Sequence, residues 1–258
     1  VFEPLRAAVA LVCAILIQIA TNFINEIYDF RKGADTAERV GPTRAVAAGL
    51  IGERQMMIAS AVVMLITFIL GLYLVAVAGV GILIIGLVSL FFAWGYTGGP
   101  FPLAYRGLGD IFVFVFFGLV AVCGTYYVQA LQVTPQAVLL SFIPGALSAN
   151  ILGVNNIRDI RTDALVGKRT LAVRIGRIPA IYLYCLLTVI AFTIPILFVL
   201  WLGYPVQVLL PLLTFPLAAK LCRDLRRKDG AALNGVLAGT AGLLVVFGTL
   251  LTVGLFLS

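Results

Sequence analysis

The sequence has no histidine and very few charged residues. Of its 258 residues, 62% are hydrophobic and 11% are charged, with 18 Lys or Arg against 11 Asp or Glu. Without histidine, Ser-His and Cys-His nucleophile systems, histidine-ligated haem and the usual zinc sites are excluded. The scarcity of charge argues against a soluble globular domain. Any chemistry must therefore use acids, amides, hydroxyls and cations.

Cysteine is also scarce, and its placement argues against redox and thiolate chemistry. The four cysteines occur singly in apolar stretches or at their ends, and no Cys-x-x-Cys pair is present: Cys13, Cys123, Cys185 and Cys222. Neither a disulfide framework nor a thiolate metal site is indicated. We interpret each as a small residue facing lipid or the protein core.

The sequence consists mainly of apolar stretches about 20 residues long, enough to cross a bilayer as helices. Lipid permits only helix bundles and closed barrels, and the alternation typical of barrel strands is absent. The sequence therefore predicts an all-α, polytopic membrane bundle. Hydropathy and turn signals place about eight helices, at 4–28, 54–76, 79–97, 109–131, 136–156, 178–202, 205–221 and 232–256.

Charged residues are confined to alternate connections between these helices. The loops after helices one, three, five and seven hold nearly every charge, whereas those after two, four and six are short and uncharged. All charged loops therefore lie on one face, and their excess of Lys and Arg predicts that this face is cytoplasmic. We expect a multi-pass integral membrane protein, in contact with lipid and without a nucleic-acid partner, whose site faces the cytoplasm over a central cavity.

Two acidic segments of similar layout lie where helices run into charged loops. One runs from Asn22 to Asp35 and the other from Asn155 to Asp163. Each contains Asn-x-x-x-Asp, which places an amide and a carboxylate on one helix face. Carboxylates at the edge of a hydrocarbon phase are costly unless they are paired or bind metal, and oxygen ligands favour Mg²⁺ or Ca²⁺. The repetition predicts a two-metal site for a phosphorylated substrate.

Cations next to the acidic segments suit the remaining oxygens of a diphosphate; these are Lys32, Arg39, Arg44, Lys168 and Arg169. A diphosphate held by metal and cations is a good leaving group, because the charge that develops on it is neutralised. A proton or cation pathway also uses intramembrane acids. Transport sites usually lie near the bilayer midplane, whereas these acids lie at helix ends, which favours a headgroup site.

These segments carry a family resemblance. The chain resembles the UbiA-type intramembrane aromatic prenyltransferases, and among them the members that prenylate 1,4-dihydroxy-2-naphthoate. Further shared motifs are Arg39-Val-Gly41-Pro42-Thr-Arg44, Tyr96-Thr97-Gly98-Gly99-Pro100, Tyr105-Arg-Gly107-Leu-Gly109-Asp110 and Gly167-Lys168-Arg-Thr170. The resemblance extends along essentially the whole chain.

The resemblance implies nine membrane helices around a cavity open laterally to lipid. It also implies Mg²⁺-dependent transfer of a polyprenyl or phytyl group from its diphosphate to 1,4-dihydroxy-2-naphthoate, with loss of the ring carboxylate as CO₂. The family's first helix has no counterpart here, so we expect one domain, 1–258, that lacks it.

Motif position and residue type together give the candidate site. The candidate metal ligands are Asn25, Asp29, Asp35, Asn155, Asp159 and Asp163, and Asp29, Asp159 and Asp163 also count as catalytic. The candidate diphosphate ligands are Asn22, Asn25, Lys32, Arg39, Arg44, Asn155, Arg158 and Lys168. Many family members have Asp-x-x-x-Asp in the first motif, but this chain has Gly33 four residues after Asp29.

The helix that follows Asp110 supplies candidates for the organic part of the reaction. Ionising an allylic diphosphate leaves a carbocation, which aromatic faces stabilise; the candidates are Phe114, Phe116, Phe117, Tyr126 and Tyr127, with Gln129 beside them in the predicted pocket. Asp110 is a candidate to orient or deprotonate the ring hydroxyl, and a structural loop acid is the alternative.

Three other interpretations stay open at the level of sequence. The acceptor is another aromatic compound such as 4-hydroxybenzoate or homogentisate, or haem; the acids serve a cation or proton transporter; or the protein binds prenyl diphosphate without turnover. The length of the prenyl chain is also open, because it depends on the shape of the cavity.

Overall fold

The structure, a computed structural model, describes residues 2–34, 41 and 43–257. Within that part of the chain all regular structure is helical. The α-helices are α1 Pro4–Arg31, α2 Glu53–Ala78, α3 Val80–Gly95, α4 Gly109–Phe114, α5 Ala121–Ala130, α6 Pro135–Arg158, α7 Ile160–Leu165, α8 Leu171–Ile175, α9 Arg177–Leu202, α10 Phe215–Arg227 and α11 Leu233–Phe256. A π-helical turn, Val115–Val120, joins α4 to α5, and 3₁₀ segments cover Leu103–Arg106, Val206–Thr214 and Gly230–Ala232.

Among the described residues, eight helical rods match the eight predicted membrane helices. Seven of them are long and apolar enough to cross a bilayer, counting Gly109–Ala130, Val206–Arg227 and Gly230–Phe256 as single rods. The eighth, α3, has 16 residues. The predicted all-α membrane bundle is therefore confirmed, with helix ends shifted by a few residues and with α1 and α10 extended to Arg31 and Arg227.

The main core lies between α6, α9, α11 and the segment Val206–Thr214. Its largest fully buried side chains include Leu147, Tyr184, Phe198, Leu243 and Phe247, each at most 2% exposed. By contrast, outward residues such as Leu200 and Trp201 are more than 70% exposed, as expected for surfaces that face lipid. Because lipid tails are as apolar as these side chains, tight packing and interhelical hydrogen bonds hold such helices together.

Two glycines allow the π-helical turn to cross α6 closely. A Cβ on Gly118 would lie 2.6 Å from the carbonyl oxygen of Ser141, and one on Gly145 would lie 2.8 Å from that of Phe114. Close approach at small residues is typical of membrane helices. The turn also contains one residue more than an α-helical turn, and α4 packs on α6 whereas α5 packs on α1 as well.

The two ends of the bundle differ in character. At one end, Glu3 and Gln129 exchange hydrogen bonds of 2.9 and 3.2 Å, which tie the start of α1 to the end of α5. The other end of α1, about 40 Å away by helix length, carries the first acidic segment. The connections after α1, α3 and α6 contact one another at that end, as the charge pattern predicts.

Candidate active site

The candidate site forms where four segments meet at the charged end of the bundle. They are the last turns of α1, the connection 43–50, the connection between α3 and α4, and the segment α7–Thr170 that follows α6. Helix α1 ends in a capping turn, in which Gly33 has a positive φ of 67° and the amide of Ala34 donates to the carbonyl of Asp29 at 2.8 Å. The acidic residues of α1 are therefore held on ordered backbone.

Asp29 lies at the centre of this arrangement and is 5% exposed. Its Oδ1 accepts a hydrogen bond of 2.7 Å from the hydroxyl of Tyr105. Its Oδ2 lies 3.7 Å from Arg44 Nη2 and 3.8 Å from Lys168 Nζ. Three connections thus place one hydroxyl and two cations on a single buried carboxylate, which offsets the cost of burying its charge.

Lys168 links the two acidic segments. Its Nζ lies 3.8 Å from Asp29 Oδ2 and 3.9 Å from Asp163 Oδ1. Burial raises the pKa of Asp163 to about 6, and Lys168 partly opposes that rise. The segments that contain Asn-x-x-x-Asp, far apart in sequence, therefore share one cation.

Tyr105 also presents its ring to two cations. Lys32 Nζ lies 3.9 Å from the ring centroid and Lys168 Nζ lies 5.5 Å from it, both within the range of cation–π attraction. Lys32 also donates 2.8 Å to the carbonyl of Thr97. Burial lowers the pKa of Lys32, and Asp29 opposes this shift. One aromatic side chain thus orients a carboxylate and holds two lysines close to it.

The amide of Asn25 is tied to the same connection, because the hydroxyl of Thr97 donates to Asn25 Oδ1 at 2.8 Å. Glu26, the next residue, accepts from the backbone amide of Val46 at 2.7 Å and lies 3.9 Å from Arg44 Nη1. Glu26 therefore holds the connection 43–50 against α1 and directs Arg44 towards Asp29.

The second acidic segment is built around a buried arginine. Arg158, whose side chain is 1% exposed, forms a bidentate pair with Asp159 at 2.7 and 2.6 Å. It also donates 2.7 Å to the side-chain oxygens of Asn155 and Asn234. Arg158, predicted as a diphosphate ligand, directs its donors to Asp159, Asn155 and Asn234, and the contact with Asn234 joins α6 to α11.

The helix bends at Asp159, where α6 ends and α7 begins. The hydrogen-bond pattern nevertheless continues, since Asp159 N donates to the carbonyl of Asn155 at 3.1 Å and Asp163 N donates to that of Asp159 at 2.8 Å. Asp159 and Asp163 nevertheless have different partners, because Asp163 faces Lys168 whereas Asp159 faces Arg158.

The remaining predicted residues divide into three groups. Asn22 is exposed on α1, one turn before Asn25. Asp35 and Arg39 lie outside the described residues. Asp110 begins α4, and its Oδ2 is buried without a hydrogen-bond partner.

The predicted aromatic pocket is dispersed along the helix after Asp110. Tyr126 and Tyr127 lie near the end of α5, and Gln129 is bonded to Glu3, at the opposite end of the bundle from Asp29. Phe114 stacks on Phe142 beside the main core, and Phe117 is 42% exposed. Phe116 alone among these candidates joins a cluster near α3, with Phe92 and Phe112 at centroid distances of 5.6 and 5.9 Å.

An apolar cavity of about 160 Å³ lies between α1, α2, α3, the π-helical turn and α5. Its wall includes Cys13 and Ile17 of α1, Thr67 of α2 and Gly124 of α5. It does not include the three residues predicted for an aromatic pocket. Ile17 is 12 residues before Asp29, roughly 18 Å along the helix. The cavity is thus deeper in the bundle than the acidic site.

The donor set fits Mg²⁺. Within residues 2–34, 41 and 43–257, no three acidic or cysteine side chains lie close enough together to hold a metal by themselves. Mg²⁺ does not require three, because it usually binds one or two carboxylates and completes its octahedron with water and substrate phosphate. Asp29 and Asp163, both on Lys168, provide two carboxylates, and Asn25 provides an amide oxygen.

Several contacts were not anticipated from the sequence. Tyr105, Thr97 and Asn234 all touch candidate residues, and Glu26 positions Arg44. The first two belong to motifs that the sequence marks as shared with a family. That sharing is the signal that could have assigned them to the site, whereas Asn234 carries no comparable signal.

The chain also matches known proteins in sequence and in fold. The model of the UbiA prenyltransferase family matches residues 1–239. The chain is 37% identical to the 1,4-dihydroxy-2-naphthoate octaprenyltransferase of Escherichia coli (strain K12), covering 100% of this chain and 86% of that protein. It is also 37% identical to the protein of the same name from Mycobacterium tuberculosis (strain ATCC 25618 / H37Rv), covering 94% and 82%.

Solved structures show the same fold at low sequence identity. A UbiA homolog from Archaeoglobus fulgidus bound to DMAPP and Mg²⁺ matches with a TM-score of 0.63 and 14% identity, over 97% of this chain and 89% of that one. A structure described for digeranylgeranylglyceryl phosphate synthase matches with a TM-score of 0.60 and 16% identity, over 98% and 85%. The helical bundle, its acidic site and the match along nearly the whole sequence lead to one conclusion: the chain belongs to the UbiA prenyltransferase family.

Proposed function

We propose that the protein transfers a polyprenyl or phytyl group from its diphosphate to 1,4-dihydroxy-2-naphthoate. The C–O bond to diphosphate breaks, a C–C bond forms at the ring carbon that carries the carboxylate, and that carboxylate leaves as CO₂. The names and coverage of the relatives support the acceptor. The observation that carries the proposal is the cation-lined pair of carboxylates Asp29 and Asp163.

The diphosphate would bind among the cations that now contact these acids. Lys168 and Arg44 lie 3.7–3.9 Å from carboxylate oxygens, and both are cations of the kind that bind phosphate oxygens. Lys32 lies on the same aromatic ring as Lys168. Positive charge placed here neutralises the charge that develops on the leaving diphosphate, which lowers the barrier to ionisation.

Asp29, Asp163 and Asn25 would hold Mg²⁺, with Asn155 and Asp159 close by in sequence. When bound, the metal supplies further neutralisation of the diphosphate. Asp29 is oriented for this role by Tyr105, and Asn25 by Thr97. Asp159 is paired with Arg158, so in this proposal its role is to stabilise the second acidic segment.

The apolar cavity of about 160 Å³ supports an isoprenoid tail that extends away from the acids. A tail in this cavity would lie among apolar side chains while the diphosphate stays at the charged end. The Lys and Arg excess at that end supports a cytoplasmic site. Acids at helix ends, rather than at the midplane, favour this function over ion transport.

The test is an assay of the full chain in lipid nanodiscs with 1,4-dihydroxy-2-naphthoate, geranylgeranyl diphosphate and Mg²⁺, with products identified by mass spectrometry. We expect a prenylated, decarboxylated product that disappears with EDTA and in Asp29→Asn. Asp229→Asn, at an exposed carboxylate, is the matched control and should keep activity.

Other results would redirect the proposal. Product with 4-hydroxybenzoate but none with the naphthoate would keep the prenyltransferase chemistry and overturn the acceptor. Ion flux in proteoliposomes without prenyl diphosphate, together with no product from any acceptor, would favour a transporter.

A further inference from the structure

A small cavity with a few polar groups in its lining lies in the bundle beside the acidic site, where Asp110 of α4 faces α6, α8 and α9. It is lined by Asp110, Asn150, Gly153 and Tyr184 together with apolar side chains, and its volume is about 10 Å³. That volume is close to the minimum that one water molecule needs, roughly 10–15 Å³. The cavity is therefore large enough for a water and too small for a substrate.

Two buried acceptor atoms on residues that line this cavity have no hydrogen-bond partner within the described part of the chain. They are Asp110 Oδ2 and Asn150 Oδ1, and Asn150 is only 1% exposed. An unsatisfied polar atom in a buried position costs about 1–3 kcal/mol. Two such atoms on one cavity indicate that a shared donor belongs between them.

The orientation of the Asn150 amide is fixed by its other contacts. Its Nδ2 donates 3.1 Å to the carbonyl of Tyr184 and 2.9 Å to the hydroxyl of Thr188. That hydroxyl in turn donates to the same carbonyl at 2.9 Å. The opposite orientation of the amide would bring its oxygen against the carbonyl oxygen of Tyr184. The atom of Asn150 without a partner is therefore Oδ1, which is an acceptor.

The described lining offers no donor to either atom. The Tyr184 hydroxyl is engaged with Thr240 at 3.0 Å, and the other lining side chains are apolar. A water molecule has two protons to donate and matches two acceptors. We propose that this cavity holds one structural water, which donates to Asp110 Oδ2 and to Asn150 Oδ1 and makes Asn150 a positioning residue for Asp110.

The water would connect the start of α4 to a polar chain through the core. From Asn150 the chain continues through Thr188 and Tyr184 of α9 to Thr240 of α11. Asp110 would then be anchored to the same helix, α6, that carries Asn155. This inference does not depend on the proposed reaction, and its tests use stability and structure.

The first test fills the cavity without touching either polar group. Gly153 lines it, and a Cβ there meets no atom within 4 Å. If the cavity is dry, Gly153→Ala should raise the Tm, because alanine favours helix and fills space. If it holds the water, the methyl group displaces the water and the Tm falls. Gly242→Ala, at a helical glycine with equally open space, is the control and should not lower the Tm.

The second test is a double-variant cycle of Tm in detergent. Asp110→Leu and Asn150→Leu should each lower the Tm, and the double variant should lose less than the two shifts together, because neither acceptor then remains. The control is the pair Asp110→Leu and Thr193→Val, since the Thr193 hydroxyl donates within its own helix. The Tm shifts of these two variants should be additive. A structure at a resolution that shows ordered waters should place density between the two oxygens.

An increase in Tm for Gly153→Ala matching that of Gly242→Ala would overturn the proposal. Additive shifts in the Asp110 and Asn150 cycle would do the same, as would a cavity without density at such resolution. If a leucine variant fails to fold, the Gly153 comparison still decides.

Discussion

The hydroxyl of Tyr105 donates to Asp29 Oδ1 at 2.7 Å and so joins the connection after α3 to the last turns of α1. The residues are 76 positions apart in sequence. The same tyrosine has Lys32 on its ring at 3.9 Å. A carboxylate and a cation for the proposed diphosphate site are therefore positioned by one side chain, which makes Tyr105 the most informative residue to change.

Tyr105→Phe should reduce kcat/KM for prenyl transfer by about tenfold to a hundredfold, the range expected for losing one hydrogen bond to a charged group. The ring and its lysine contacts remain, so the variant isolates the hydroxyl. Steady-state kinetics with varied prenyl diphosphate would measure it.

Tyr105→Leu is the companion variant, and it removes the ring as well. We expect a larger increase in KM for prenyl diphosphate than in Tyr105→Phe, since the lysines lose their aromatic contact. Wild-type kinetics in the phenylalanine variant would show that the bond to Asp29 has no role in turnover.

The stability of the metal-free protein should depend on Asp163. Burial raises the pKa of this carboxyl to about 6, above its ordinary value of 3.8. Because the folded pKa lies above the unfolded one, the stabilisation from protonation is fully present below the unfolded pKa and is lost as pH rises through about 6. In EDTA, the Tm should therefore decline as pH increases from 3.8 to about 6.

Asp163→Asn is the control for that measurement, because it cannot titrate. Its Tm should show a smaller dependence on pH over the same interval. An identical pH profile in the two proteins would assign the effect to other groups.

Arg158→Met should destabilise the protein by about 3–5 kcal/mol, since it leaves the carboxylate of Asp159 without its buried partner. Thermal unfolding in detergent would detect the change as a lower Tm. Adding Asp159→Asn should recover part of the loss, because the uncompensated charge is then absent. A single variant as stable as the wild type would show that the buried pair of Arg158 and Asp159 does not contribute to stability.

The crossing of the π-helical turn and α6 provides a packing test. Gly118→Ala and Gly145→Ala should each cost about 1–3 kcal/mol, because a Cβ would meet backbone atoms at 2.6 and 2.8 Å. Gly124→Ala, further along the same rod with no atom within 4 Å of its Cβ, should be neutral or stabilising. Equal Tm values for all three variants would contradict the close crossing.

Much of the fold is predictable from the sequence, for a physical reason. Apolar length and the confinement of charge to alternate loops are imposed by the bilayer, so they fix helix number and the common face of the charged connections. Two local features were not predicted: the π-helical turn in Gly109–Ala130 and the interruption of the helix at Asp159. Both depend on packing between helices, which hydropathy does not report.

Motif position and residue type group side chains that meet in the structure, but they do not identify the partner of each side chain. Asp29, Asp163, Arg44 and Lys168 do come together. Arg158, by contrast, is of a residue type that often binds phosphate, but its side chain is buried and paired with Asp159. Arg158 ends α6 next to Asn234 of α11, and only the tertiary structure supplies that neighbour.

The π-helical turn Val115–Val120 has a consequence for how the bundle is divided. One additional residue in a turn advances the angular position of everything after it by about 100°. In the rod Gly109–Ala130, Asp110 can therefore face α6 while Val128 faces α1–α3. The small cavity beside α6 and the apolar cavity beside α1–α3 therefore share this rod as a wall. Substitutions in the first half of the rod can alter one cavity while the other cavity keeps its lining.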